Sequence, residues 1–191
     1  MNKKMLAVIA VVIIVIVAGV AVYYLLKEGN GDKAPALKES FEVGDYYTVK
    51  ETLSSLGETE VTESTLTIVG ISGDLYDVTE TSDGVTTKLG LMTRAEFLGD
   101  LLPPKEELTG LSSQGTEALQ TAFGKVSCER WEGTYMGASA KLWISPDNGV
   151  LYHGEASATI LGITATTSMD LIAGTIFVES PSGGDSGAGT S

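Results

Sequence analysis

The sequence predicts an N-terminal transmembrane helix followed by a mainly-β (α+β) extracytoplasmic domain. In that domain we expect a curved antiparallel sheet of about eight strands wrapped on one short helix, like a half-barrel. Three observations support this fold class: an uncharged apolar run at residues 5–26, an alternation of apolar and polar residues between 41 and 178, and one helix-capping motif at residue 93. A β-sandwich is the alternative arrangement of the same strands.

The apolar run at residues 5–26 predicts a transmembrane signal-anchor helix. It contains no charged residue, and every residue except Gly19 is hydrophobic. A helix of this length spans about 33 Å, against about 30 Å for the hydrocarbon core of a bilayer. Lys3 and Lys4 precede the run. The positive-inside rule therefore places residues 1–4 in the cytoplasm and the C-terminal domain outside the cell membrane.

A cleaved secretory signal is the alternative interpretation of this run, with the small residues at 19–21 as the cleavage region. Cleavage would make the domain a secreted protein. The anchor interpretation is favoured because the apolar part of a signal peptide normally has only about 7–15 residues. In both interpretations the domain is exported, and in the first the lipid bilayer is a partner through residues 5–26.

The rest of the chain divides into three parts. Residues 27–40 are expected to form a flexible stalk, residues 41–178 the β-rich domain, and residues 179–191 a disordered tail rich in Gly and Ser. From residue 27 onward ten basic residues face 25 acidic ones, so the formal charge is −15. A body this acidic lacks the basic surface that nucleic-acid binding requires.

In the first half of the domain, alternation predicts strands at residues 47–53, 66–70, 76–81 and 85–92, with a tight turn at 82–84. Thr93 and Glu96 have the spacing of a capping box, which begins a helix. The apolar residues at 97, 98, 101 and 102 follow at helical spacing, and the prolines at 103 and 104 end the helix. We expect its apolar face to pack on the sheet.

In the second half, alternation predicts strands at 124–132, 139–145, 150–160 and 163–173. Residues 146–149 read Pro-Asp-Asn-Gly, and residues 161–162 read Leu-Gly; both are expected to be turns. The residues expected to point inward include Gly154, Ala156, Ala158 and Ala165. Their small size permits close packing of the helix or leaves room for an apolar ligand.

Four residues are candidates for ligand or partner binding. Glu51 and Arg130 each lie two residues from an apolar neighbour in a predicted strand, so they are expected on the same face of the strand as that neighbour. A charge that faces a core must be paired or reach water. They are therefore either polar anchors at a cavity mouth, a buried ion pair, or strand-end residues that reach solvent. Trp131 and Trp143 are expected on the face opposite the core, where an exposed tryptophan often marks a partner contact. The alternative is packing beneath a loop.

The single histidine, His153, is expected on the solvated face, and the single cysteine, Cys128, in the core. No motif for a metal, nucleotide or other cofactor is present, and no nucleophile and base can be assembled. We therefore expect no catalytic residue, no metal and no cofactor.

The sequence thus predicts a membrane-anchored, non-enzymatic binding domain that takes an apolar ligand or an envelope protein as partner. The predicted architecture resembles the open half-barrels of lipid- and lipoprotein-carrier domains in bacterial envelopes, although no motif carries the resemblance. One alternative is a structural or assembly subunit of a cell-surface layer or filament. A hydrolase-like enzyme is the remaining alternative.

Overall fold

The computed structural model describes residues 33–103, 108–135 and 137–178. The expected membrane span at 5–26, the beginning of the stalk and the tail at 179–191 lie outside these residues. Within the described ranges, no helix has the length and apolar character needed to cross a membrane.

The domain is one antiparallel sheet of nine strands with one short helix. In chain order the elements are β1 (Tyr46–Ser55), β2 (Glu58–Ser72), β3 (Leu75–Ser82), β4 (Val85–Met92), α1 (Arg94–Phe97), β5 (Leu111–Thr121), β6 (Gly124–Tyr135), β7 (Ala138–Ile144), β8 (Leu151–Ile160) and β9 (Ile163–Gly174). The four C-terminal strands that the sequence predicts are all present. The additional strand is β5. Its polar residues lie on both faces of the strand, so its sequence does not alternate between apolar and polar residues.

Two meanders meet at the centre of the sheet. The strand order is β4-β3-β2-β1-β9-β8-β7-β6-β5, so the first and last strands of the chain pair with each other. The outer edges, β4 and β5, do not pair, and the sheet is not closed into a barrel. All nine strands belong to one sheet, so the sandwich alternative is wrong for the described residues.

Three hairpins have the same two-residue turn. Leu56-Gly57, Asp83-Gly84 and Leu161-Gly162 all adopt positive φ at both positions, with values of 57° and 80°, 50° and 76°, and 53° and 78°. These are the conformations of a type I′ turn, whose twist matches that of the flanking strands. The turns at Asp83-Gly84 and Leu161-Gly162 confirm the sequence prediction.

The capping box that begins α1 is confirmed. The hydroxyl of Thr93 accepts a hydrogen bond from the main-chain N–H of Glu96 at 3.2 Å, and the Thr93 N–H donates to the Glu96 carboxylate at 2.7 Å. The regular helix ends at Phe97, which is earlier than predicted. Gly99 follows, and a glycine weakens a helix interior by about 1 kcal/mol. The chain continues through turns that bury Leu98 and Leu101.

The two faces of the sheet follow from strand register, because directly paired residues point to the same side. We call the face of Tyr47 the inner face, since the Tyr47 hydroxyl donates to the main-chain oxygen of Phe97 in α1 at 3.0 Å. The rings of Tyr47, Phe41 and Tyr76 lie 5.3, 5.5 and 6.3 Å from the Phe97 ring. The main core thus lies between the inner face and α1, and the opposite side is the outer face.

The part of the expected stalk that the structure describes is attached to the domain. The Ala34 N–H donates to the Asp147 carboxylate at 3.0 Å, and the Val178 N–H donates to the Ala36 oxygen at 2.7 Å. Lys38 forms an ion pair with Asp45 at 2.6 Å. Residues 34–38 are therefore part of the folded domain, beside the turn at 146–149.

Candidate functional site

The structure places Glu51 and Trp131 on the inner face, in one row of paired residues. The row runs Glu51, Met169, Gly154, Leu142, Trp131 across five neighbouring strands. Trp131 is only 8% exposed and belongs to the core. The expectation that Trp131 lies opposite the core is therefore wrong. In β6 the inner face is therefore that of Trp131 and not that of Arg130. Val126 and Cys128, earlier in the strand and on the face of Arg130, are buried as well.

Small side chains occupy the inner face next to this row. We call Ala138, Ala140, Ala156, Ala158 and Ala165 the alanine floor. They lie in two rows that continue onto β1, where Leu53 pairs with Thr167 and Ser55 pairs with Ala165.

The helix does not cover this floor. Ala156, Ala165 and Ala158 form an apolar cluster separate from the main core, and α1 packs mainly against β3 and β4. Of the two alternatives for these small residues, close packing of the helix is therefore not what the structure shows.

A cavity of about 500 Å³ opens where the inner face ends, beside the alanine floor. It is lined by Leu53, Ser55, Glu58, Thr59 and Glu60. The Ser55 side chain is deeply buried, at 7% exposure, and its hydroxyl has no hydrogen-bond partner among the described residues. A buried hydroxyl without a partner is costly, so this position can offer a hydrogen bond to a bound molecule.

Carboxylates dominate the electrostatics of the inner face near the end of α1. Burial raises the pKa of Glu51, and the negative charges of Asp100 and Glu80 raise it further. Burial also raises the pKa of Asp100, together with Glu80, while the hydrogen bond from the Tyr47 hydroxyl at 3.5 Å opposes the rise. This side of the domain therefore disfavours anions.

Arg130 and Trp143 lie together on the outer face. Their row runs Arg130, Trp143, His153, Asp170, Lys50. Because Glu51 and Arg130 are on opposite faces, they do not form the buried ion pair that was one interpretation of the sequence.

Arg130 reaches the protein surface, where its guanidinium lies 3.4 Å from Glu117 and 3.3 Å from Glu132. Its side chain is about one-third exposed. The charge that the sequence pattern placed beside apolar neighbours is thus paired on the half-buried outer face.

Trp143 is on the face opposite α1, as expected, but it is not an exposed platform. It is 9% exposed, its indole N–H donates to the Glu117 carboxylate, and its ring lies 4.9 Å from the His153 ring. His153 is itself largely covered, and its Nδ1 lies 2.6 Å from a carboxylate oxygen of Asp170. The expectation of a solvated histidine is therefore wrong.

Cys128 is a buried thiol, as predicted. Burial raises its pKa to about 12, and the charges of Glu117 and Asp147 contribute to the rise. The thiol therefore stays protonated at neutral pH, which does not suit a nucleophile. In the described parts of the chain, no three His, Cys, Asp or Glu side chains are grouped to hold a metal ion.

Sequence analysis identified several floor alanines but missed Ser55 and the cavity. One feature of the sequence could have indicated Ser55: it alternates with Glu51 and Leu53, so it lies on the same face at the end of β1. Parity alone does not show that the hydroxyl lacks a partner, because that depends on what the neighbouring strands place around it.

The fold and site define a class: an open antiparallel sheet that carries a short helix on one face and a cavity at the end of that face. No protein-family model matches the chain. No curated protein matches it either.

Three solved structures are similar to parts of it. A DUF1329 family protein from Desulfovibrio piger is 9% identical, covers 68% of this chain and 84% of its own, and has a TM-score of 0.22. An S-type phycobiliprotein lyase from Guillardia theta is 10% identical, with coverages of 68% and 85% and a TM-score of 0.26. A LolA superfamily protein from Nitrosomonas europaea is 10% identical, with coverages of 68% and 84% and a TM-score of 0.22.

Proposed function

We propose that this protein is a non-enzymatic binding domain that holds the apolar part of a ligand at the open end of its inner face. The observation that carries the proposal is the cavity of about 500 Å³ next to the alanine floor, with the unpartnered hydroxyl of Ser55 in its lining. This volume is within the range of about 300–1,000 Å³ that small-molecule sites occupy.

The lining indicates the chemistry of the ligand. Leu53 offers apolar contacts and Ser55 offers one hydrogen bond, and Ala165 of the alanine floor pairs with Ser55 beside the cavity. Glu58 and Glu60 are exposed at the cavity, and Glu51 lies one position further along the inner face of β1. Negative charges around the entrance repel anionic headgroups, so a neutral or cationic amphiphile is the favoured ligand.

Native mass spectrometry of the full chain, extracted in mild detergent, tests this proposal. Wild-type protein should retain a small-molecule adduct. The substitution Ser55→Leu fills the cavity and should reduce that adduct by about tenfold, the effect of roughly 1.4 kcal/mol. Thr159→Leu, on the exposed outer face of β8, is the matched control and should retain it. Circular dichroism verifies that both variants fold. Equal adducts in the two variants, or none in wild type, would contradict the proposal.

The proposed location follows from the leader: residues 5–26 anchor the domain, and the domain lies outside the cell membrane. Sequencing the N-terminus of the mature protein tests this part independently. We expect a chain that retains residues 5–26. A chain that begins at Val22, immediately after the small residues of the leader, would instead indicate a cleaved signal and a secreted domain.

A second candidate function, a subunit of a surface layer or filament, is favoured by the exposed edge of the sheet. Val85 and Leu91 on β4 are 66% and 57% exposed, and unpaired edge strands can pair with another chain. If β4 mediates assembly, gentle detergent extraction should yield a large complex that Leu91→Lys disrupts. A wild-type chain that runs as a monomer would exclude this function.

A further inference from the structure

A second cavity lies on the outer face of the sheet, on the side opposite the alanine floor. It is a groove of about 370 Å³ that crosses β1, β9, β8 and β7. These are central strands, each paired with a neighbour on both sides. The groove is therefore built on the most constrained part of the sheet.

Hydroxyl groups without protein partners line this groove. Within the ranges that the structure describes, the side-chain hydroxyls of Thr52, Ser157, Thr166 and Ser168 form no hydrogen bond with another protein group. Two other hydroxyls of the lining have protein partners: the Ser54 hydroxyl bonds to that of Thr59 at 3.0 Å, and the Ser139 hydroxyl donates to the main-chain oxygen of Ser157 at 3.4 Å. The four hydroxyls without partners are available both to donate and to accept.

Two loosely held charged side chains add to this set. The Lys141 ammonium and the Glu155 carboxylate are 4.0 Å apart, and each side chain is about half exposed. Lys141 also lies 3.9 Å from Glu132, and Glu155 lies 3.4 Å from His153. At these distances the attractions in water are weak, and both groups can bind a ligand instead. The lining therefore carries no net charge.

These features exclude several classes of ligand. An apolar molecule gains little from hydroxyls and charges, and the lining contains no large hydrophobic side chain. A peptide cannot add as a strand, because the strands beneath the groove already have both neighbours. An anionic polymer is repelled by a body whose formal charge is −15, with ten basic and 25 acidic residues after residue 26.

We infer that the outer-face groove is a binding site for a neutral oligosaccharide. The hydroxyls of Thr52, Thr166 and Ser168 match the hydroxyls of a sugar, which also both donate and accept. Glu155 accepts from further sugar hydroxyls and Lys141 donates to sugar oxygens. This inference does not depend on the proposed inner-face ligand, because the two sites are on opposite faces.

Titration calorimetry with the full chain in lipid nanodiscs tests the inference. The probes are two neutral trisaccharides, triacetylchitotriose and maltotriose, and the anionic trigalacturonate. At least one neutral probe should bind. The double substitution Thr52→Val and Thr166→Val preserves shape and removes two hydroxyls, so affinity should fall by about tenfold. Thr164→Val, on the same face of β9 but outside the groove, is the control and should bind like wild type.

The inference is overturned if neither neutral trisaccharide binds, if trigalacturonate binds more tightly than both, or if Thr164→Val loses as much affinity as the double variant. Ser55→Leu distinguishes this site from the proposed inner-face site. It should remove the inner-face ligand without affecting saccharide affinity.

Discussion

The hydroxyl of Tyr47 in β1 donates a hydrogen bond of 3.0 Å to the main-chain oxygen of Phe97, the last residue of α1. Both residues are completely buried, and their rings are 5.3 Å apart. This contact joins the centre of the sheet to the end of a helix of only four residues. A helix this short cannot be stable by itself, so its position depends on such tertiary contacts.

Replacement of Tyr47 by Phe should therefore destabilise the domain by about 1–2 kcal/mol, because the Phe97 oxygen would remain buried without a donor. Urea denaturation measures this loss. Tyr46→Phe is the control, since the Tyr46 hydroxyl makes no hydrogen bond within the described part of the chain and the residue is half-buried. A Tyr47→Phe variant as stable as Tyr46→Phe would show that the hydrogen bond contributes nothing.

Replacement of Glu51 by Gln should stabilise the protein at neutral pH but not in acid. Burial and the charges of Asp100 and Glu80 raise the pKa of Glu51. A carboxyl with a raised folded-state pKa holds its proton more tightly in the folded chain. Stability therefore falls as the pH rises from the ordinary glutamate range through the raised value. Glutamine mimics the protonated form and should remove this part of the decline.

Urea midpoints measured between pH 4 and pH 8 test the effect of Glu51→Gln. Glu63→Gln, which removes an exposed carboxylate on β2, is the control for the loss of one negative charge. The same decline with pH in wild type and Glu51→Gln would contradict the electrostatic explanation.

Replacement of Leu161 by Asn should stabilise the β8–β9 hairpin by about 0.5–1 kcal/mol. Leu161 is at the first position of its turn with φ of 53°, and a left-handed conformation costs a non-glycine residue about 1–2 kcal/mol. Asparagine adopts this conformation more readily. Thermal unfolding provides the measurement. Leu161→Ala should show no such gain, because alanine keeps the steric conflict, and an equal gain in both variants would point to the loss of an exposed leucine instead.

Cys128 should not react with a thiol reagent at pH 8 in the folded protein. Burial raises the pKa of the thiol to about 12, and the side chain is inaccessible. Only a small fraction is then thiolate, the reactive form. Spectrophotometric titration of the thiol should show no reaction under native conditions and one equivalent in guanidinium chloride. Rapid native labelling would mean that β6 opens readily.

Replacement of Arg130 by Met should destabilise the protein by less than about 1 kcal/mol, because its ion pairs with Glu117 and Glu132 are partly exposed. It should leave the inner-face ligand unaffected, since Arg130 is on the outer face. Denaturation and native mass spectrometry of the same variant test both statements. Loss of the inner-face adduct in this variant would show that Arg130 contributes to that site.

The amino-acid pattern predicts local structure well in this protein, for a physical reason. Side chains in a strand alternate between faces, and turns such as Asp83-Gly84 and Leu161-Gly162 place a glycine at a position of positive φ. Both signals lie within a few residues, as does the capping box of Thr93 and Glu96. Strand β5 escaped prediction because Ser, Thr and Gln occupy both of its parities.

The alternation of apolar and polar residues could not establish which of the two alternating sets of side chains in a strand faces the core. In β6, Arg130 and Trp131 are neighbours, and only pairing with β7 shows that Trp131 faces the core with Leu142 while Arg130 faces outward with Trp143. A shift of one residue in register would exchange the faces. Bulges such as the one beside Trp143 add further shifts that the sequence does not reveal.

The sequence by itself thus determined eight of the nine strands, several turns, the helix start, the acidic body and the apolar leader, all of which depend on composition or short-range pattern. The tertiary structure alone decided that β1 pairs with β9, that the helix packs away from the alanine floor, and that Ser55 ends beside a cavity. The pairing of β1 with β9 joins residues more than a hundred positions apart. The energies of these features come from burial and pairing across the sheet, which no local pattern records.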